Sequence, residues 1–117
     1  MATLQILGED NYCALNQSQM GIGREEDNEI VIHDDTVSGY HALITIRPTA
    51  SNKNEFEYIL EDLDSTNQTF VNSREITKHT LKDGDIIRVG NTRLKFSMKD
   101  HAPPKNRFQA TQKIRKL

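Results

Sequence analysis

HALITIR, residues 41–47, alternates without a break: Ala42, Ile44 and Ile46 fall on one side of an extended chain, His41, Leu43, Thr45 and Arg47 on the other. A period of two marks a strand with one face in a core. RLKFSMK, residues 93–99, repeats the pattern, with Leu94, Phe96 and Met98 expected inward and Arg93, Lys95, Ser97 and Lys99 toward water. Working outward, TLQIL (3–7), QMGIG (19–23), EIVI (29–32), FEYILEDL (56–63), TFV (69–71) and DIIRV (85–89) read as further short strands. Gly90-Asn91 is a two-residue hairpin loop whose leading glycine suits a type II′ turn, and Asp83-Gly84 marks another turn. RPTASNKNEF (47–56) is the one long polar loop. Many short strands, turn residues between them and no helical periodicity predict an all-β protein, an antiparallel sandwich or barrel.

The 117 residues suffice for one domain with its own core. Two prolines in DHAPPKNRF end the strand pattern, so the folded domain is placed at 1–100 and a basic tail or linker at 101–117. With 35% hydrophobic and 27% charged residues, the composition is that of a soluble globular protein. No apolar run reaches membrane-spanning length, and the N-terminal stretch lacks the basic and apolar regions of a signal peptide. Cytoplasm is the expected location, in keeping with a lone Cys13. The net charge of −2 hides a split: Lys105, Arg107, Lys113, Arg115 and Lys116 follow Pro104 without an acid, leaving ten basic residues against all 17 acids, a net −7 over residues 1–104. An acidic body argues against nucleic acid as partner.

Three segments are rich in small polar residues: GIGREEDN (21–28), DDTVSGYH (34–41) and DSTNQTF (64–70). Singly, each reads as ordinary loop composition. Ser38 and His41 lack a nucleophile elbow, GIGREE lacks the third glycine of a dinucleotide fingerprint, and His33, Asp34 and Asp35 do not form a hard-cation loop. No catalytic residue, metal or cofactor is therefore assigned. Taken together, the segments hold the inventory of a phosphate site. A phosphate monoester carries about −1.5 to −2 charges on three acceptor oxygens, and its receptor needs a fixed cation, best an arginine fork, with hydroxyl and amide donors around it. Arg24, Ser38, Thr66 and Asn67 supply that set.

Gly23-Arg24, Ser38 to His41, Ser65 to Thr69, Phe70 to Asn72 and Leu81 to Gly90, in this order and spacing, resemble a forkhead-associated (FHA) domain over residues 4–98. The resemblance implies an FHA/SMAD-like β-sandwich with its ligand-binding loops at one end, binding phosphothreonine in partner proteins. It makes Arg24 the phosphate-binding arginine, Ser38 and Thr66 further phosphate contacts, and Asn67 the holder of the peptide backbone; Gly23 and His41 support the loops. The implied function is a phosphothreonine-dependent signalling adaptor without catalytic activity, whose partner is a threonine-phosphorylated protein, such as a Ser/Thr kinase or its substrates.

Gly39 stands where relatives often place a basic or amide side chain that also touches phosphate, Gln68 replaces the glycine of Asn-Gly-Thr, and Ser73 stands where glycine is preferred. These departures lower the expected affinity to the micromolar range or weaker, on the order of −8 kcal/mol at best. They also support the alternative of a degenerate FHA fold that binds partners independently of phosphate. Asp34 and Asp35, adjacent in sequence to the site, predict that basic residues flanking the phosphothreonine are tolerated better than acidic ones. Thr111, the single threonine of the basic tail, is a candidate ligand for another copy once phosphorylated.

Overall fold

The computed structural model describes residues 2–52 and 54–98; the expected boundary near residue 100, the tail 101–117 and Thr111 lie outside the described residues. Among those residues the chain forms eleven strands and no helix: β1 (Thr3–Ile6), β2 (Tyr12–Ala14), β3 (Gln19–Gly23), β4 (Ile30–Val31), β5 (Ala42–Pro48), β6 (Phe56–Asp62), β7 (Thr69–Val71), β8 (Arg74–Ile76), β9 (Lys78–Thr80), β10 (Ile86–Val89) and β11 (Thr92–Ser97). They build two sheets, ordered β2-β1-β11-β10-β7-β8 and β4-β3-β5-β6-β9.

The alternation at 41–47 is what places β5 at the centre of the five-stranded sheet. Ala42 and Ile44 are fully buried, and β5 pairs along its length with β6 from Ala42↔Asp62 to Pro48↔Phe56. Its other edge takes β3, from Gln19↔Thr45 to Ile22↔Ala42. Between the two sheets, Leu4, Ile22, Ile44, Leu60, Ile87, Leu94 and Phe96 form the heart of one apolar cluster, each side chain contributing about 1.5–3 kcal/mol by leaving water. Tyr58 and Phe96 meet across this layer with ring centroids 5.3 Å apart, tilted by 58°, which avoids the face-to-face stacking that the ring quadrupoles disfavour.

Four features depart from the expectation, one of them Ser97, which is buried at the end of β11 where the alternation turned it toward water. β2, β8 and β9 are absent from the predicted strands; β2 and β8 are the edges of one sheet and β9 an edge of the other, and three-residue edge strands such as REI and KHT need little apolar alternation. The sandwich is antiparallel except at β4, which runs parallel to β3 through Ile22↔Ile30 and Gly23↔Val31. Met98 is exposed rather than inward: β11 ends at Ser97, where the Met98 N–H donates to Asp83 Oδ1 at 2.8 Å and takes the chain out of the pleat. At the β10–β11 hairpin, Gly90 has the positive φ (57°) that a type II′ loop requires at its first position.

Candidate functional site

The loops that follow β3 (24–29), β4 (32–41) and β6 (63–68) meet at one end of the sandwich, and a buried histidine ties two of them together. His41 is inaccessible to solvent. Its Nδ1 accepts from the Ser38 N–H at 3.0 Å, so the ring proton resides on Nε2, which faces the Gln68 carbonyl at 2.9 Å. One imidazole thereby fixes the distance between the Ser38 and Thr66–Asn67 segments. Both ring nitrogens are committed to backbone groups, so no base is aimed at the Ser38 hydroxyl, as a nucleophile would require.

Gly23 closes the β3 side. A Cβ there would lie 2.1 Å from the Gly39 carbonyl oxygen, a separation only glycine permits. That approach lets the Arg24 N–H donate to Ser38 O at 3.0 Å and the Glu25 N–H donate to Gly39 O at 3.1 Å. Buried Asn28 seals the loop by donating through Nδ2 to Glu25 O and Gly39 O, both at 2.8 Å. The exposed Arg24 side chain is anchored by Nε–H to Val37 O at 3.0 Å, which leaves the donors of its terminal nitrogens uncommitted among the described residues.

Asp34 and Thr36 form the outer brace. Asp34 accepts from the Thr36 N–H at 2.9 Å, the Thr36 hydroxyl at 2.6 Å, the Thr92 hydroxyl at 2.8 Å and the Asn91 N–H at 3.2 Å. Burial opposes its ionisation, but these four donors outweigh it and hold the carboxyl below its ordinary range. Asp34 thus stays ionised beside the site, while its oxygens are taken up in joining the loop to the β10–β11 hairpin. Only a glycine fits opposite, since a Cβ on Gly90 would lie 2.3 Å from Thr36 Oγ1.

The third loop hangs on Asp62, at the end of β6, which accepts from the Ser65 hydroxyl and N–H and from the buried Thr69 hydroxyl at 2.7 Å. Here too burial works against the charged form, and the hydrogen bonds prevail to lower the pKa. So held, the Thr66 N–H donates to Ser38 Oγ at 3.0 Å and Asn67 Nδ2 donates to Thr36 O at 2.8 Å. Because the Ser38 oxygen accepts, its own proton is left to donate outward. Asn67 keeps one amide proton and its carbonyl oxygen, and Gln68 takes φ +60°, the conformation that its place in the motif anticipates.

Arg24, Ser38, Gly39, Thr66 and Asn67 are thus brought together from three loops, and Gly23 and His41 lie directly beneath them. The reading of the sequence alone did not find Asn28, Asp62, Ser65 or the Gln68 carbonyl. Asp-x-Thr at 34–36 carried a local signal, the composition of an Asx turn; the Asp62–Thr69 contact, seven residues apart around a loop, carried none. His33 pairs with Glu26 at 3.2 Å, and no group of three potential metal ligands occurs among the described residues. Tyr40, at the rim, donates to both Asp27 oxygens at 2.9 Å; this bond, with desolvation and the charges of Asp27 and Glu25, raises its hydroxyl pKa. A groove of about 790 Å³ lies at the opposite end of β5, lined by Leu15, Ile46, Pro48, Phe56 and Met98. Its lining also includes Asn16, Ser18, Thr49 and Asn54 but, among the described residues, no cation, so volume and chemistry point to different ends, and Arg24 decides for the loops.

The model of the FHA domain matches residues 20–90. This chain belongs to the FHA family. It is 34% identical over 82 residues to the glycogen accumulation regulator GarA of Mycobacterium tuberculosis, covering 70% of this chain and 46% of GarA. It is 37% identical over 82 residues to the oxoglutarate dehydrogenase inhibitor of Corynebacterium efficiens, covering 70% and 53%. The chain thus spans about half the length of these relatives. Among solved structures, one from a structural and functional analysis of phosphothreonine-dependent FHA domain interactions superposes with a TM-score of 0.72 at 32% identity, covering 86% of this chain and 98% of that one. The FhaA FHA domain, complexed with the intracellular domain of Rv3910, gives 0.69 at 32%, covering 82% and 99%.

Proposed function

We propose that this FHA domain binds phosphothreonine in partner proteins, with Arg24 as the phosphate cation, Ser38 and Thr66 as further phosphate contacts and Asn67 on the peptide backbone, and that it acts as a cytoplasmic adaptor without a catalytic step. The observation that carries the reading is the donor set at one loop end: the uncommitted terminal nitrogens of exposed Arg24, on the loop bonded to the Ser38 backbone, with a Ser38 hydroxyl whose oxygen already accepts from Thr66. A dianion with three oxygens matches such a set, and a single carboxylate does not.

Calorimetry with one peptide in phosphothreonine, phosphoserine, aspartate and unmodified forms tests it. The phosphothreonine form binds in the micromolar range, and Arg24→Ala weakens it at least about tenfold, the loss of a charged hydrogen-bonding partner. Equal binding of phosphorylated and plain peptides overturns the reading in favour of a phosphate-independent FHA fold, and turnover of an ester substrate overturns the non-catalytic part. The partners that fit are a Ser/Thr kinase, its substrates, or a second copy phosphorylated at Thr111. For the last, sedimentation of Thr111-phosphorylated protein at low salt shows oligomers that Arg24→Ala dissolves; a monomer at high micromolar concentration removes self-association from the list.

A further inference from the structure

Every carboxylate of the 24–29 loop but one has a donor among the described residues. Glu26 faces His33, Asp27 accepts from Tyr40, and Glu29 accepts from the Gly21 N–H at 2.7 Å. Glu25 has none. It follows the phosphate-binding candidate Arg24, its N–H is pinned to Gly39 O, and its side chain lies over Gly39: a Cβ at 39 would be 3.0 Å from Glu25 Cγ and 3.5 Å from Oε2. The place above residue 39, where a cation would assist a phosphate, is therefore filled by an anion. A dianionic ligand alone meets repulsion there, whereas one that brings its own cation finds a partner for it.

We propose that Glu25 is a specificity-determining residue of this site, selecting phosphothreonine segments that carry a lysine or arginine close to the phosphothreonine, so that the ligand supplies the positive charge that Gly39 omits. The inference rests on the phosphothreonine reading above. Asp35 is also exposed, but no contact ties it to Gly39, and the Asp34 oxygens already accept from four donors; the carboxylate placed to pair directly with a ligand cation above Gly39 is that of Glu25.

The test is fluorescence anisotropy with a phosphothreonine peptide in which lysine, alanine or glutamate occupies each of the flanking positions in turn. Wild-type protein binds a lysine peptide about two- to fivefold more tightly than its alanine counterpart, the range of a solvent-exposed ion pair, and disfavours glutamate. Glu25→Gln erases that preference without loosening the alanine peptide, and Asp35→Asn retains it. Thermal unfolding confirms that both variants are folded. No lysine preference in the wild type, or a preference that survives Glu25→Gln, overturns the inference while Arg24-dependent phosphopeptide binding stands. Failure of any phosphothreonine peptide to bind better than its unmodified form overturns the parent reading, and this inference with it.

Discussion

Single residues at this site do two jobs, holding a loop and facing a ligand, and the two separate by burial. His41 faces only protein. Its replacement by leucine strands the Ser38 N–H and the Gln68 carbonyl, each at about 1–3 kcal/mol, so His41→Leu lowers the urea unfolding free energy by about 2–6 kcal/mol and abolishes peptide binding. Gln68 shows the opposite balance. A non-glycine residue at φ +60° is strained by about 1–2 kcal/mol, of which glycine returns part through its freer unfolded chain. Gln68→Gly therefore stabilises by about 0.5–1 kcal/mol in the same measurement, without loss of binding. Asn72, at φ 51°, gains less from glycine, because asparagine tolerates this region and its Nδ2 donates to Asp85 at 2.9 Å. At position 39 the backbone φ is not positive, and the Glu25 side chain is flexible enough to yield. Gly39→Arg should then tighten phosphopeptide binding and weaken its dependence on a basic flanking residue; unchanged affinity in calorimetry would place residue 39 outside the site.

At the scale of elements, the loops are positioned by close approaches that only glycine allows. The β3 end meets the 32–41 loop at Gly23, and the β10–β11 hairpin meets it at Gly90. Gly23→Ala drives a Cβ into the Gly39 carbonyl, and overpacking of this kind costs about 1–3 kcal/mol. Gly90→Ala combines a collision with Thr36 and the strain of φ +57°. Both variants are expected to lose phosphopeptide affinity by misplacing Arg24 and Thr36 respectively, with the sheets intact. Hydrogen exchange localises the effect: protection falls at 24–41 and stays unchanged in β10 and β11 away from the turn, whereas loss across both sheets would mean that these glycines serve the core.

Over the whole molecule, loops are held by ionised aspartates at three separate joints, two at the binding end and one on the far side. Asp34 joins the site to the hairpin, Asp62 holds the 63–68 loop, and Asp85 caps the far side through the Lys82 N–H, Asn72 and His79. In each, burial favours the neutral acid but hydrogen bonds to the carboxylate prevail, so the folded pKa lies below the ordinary 3.8. The unfolded chain therefore binds more protons as pH falls. Their contribution to stability is complete above about pH 5 and is lost as pH drops through 3.8 toward the folded values. Urea midpoints should be level between pH 7 and 5 and fall steeply below 4. Asp62→Asn should start lower at pH 7 and show a shallower fall; a parallel fall would show that Asp62 carries none of the acid sensitivity.

The sequence by itself determined the strand faces, because alternation at Ala42, Ile44, Leu94 and Phe96 can bury only one side of each strand. It also held the ingredients of the site, since arginine, hydroxyls and an amide at motif spacing are local features of a chain. Edge strands such as β8 and β9 were illegible because sheet edges are specified by backbone pairing, which leaves little trace in side chains. Which carboxylates serve the fold and which face a ligand was likewise undetermined. Asp34 and Glu25 are equally acidic as letters, yet the first accepts from Asn91 and Thr92, some sixty residues on, and the second lies over Gly39 with no donor among the described residues. Hydrogen-bond satisfaction depends on distances between segments remote in the chain, and only the packing of three loops against one hairpin fixes them.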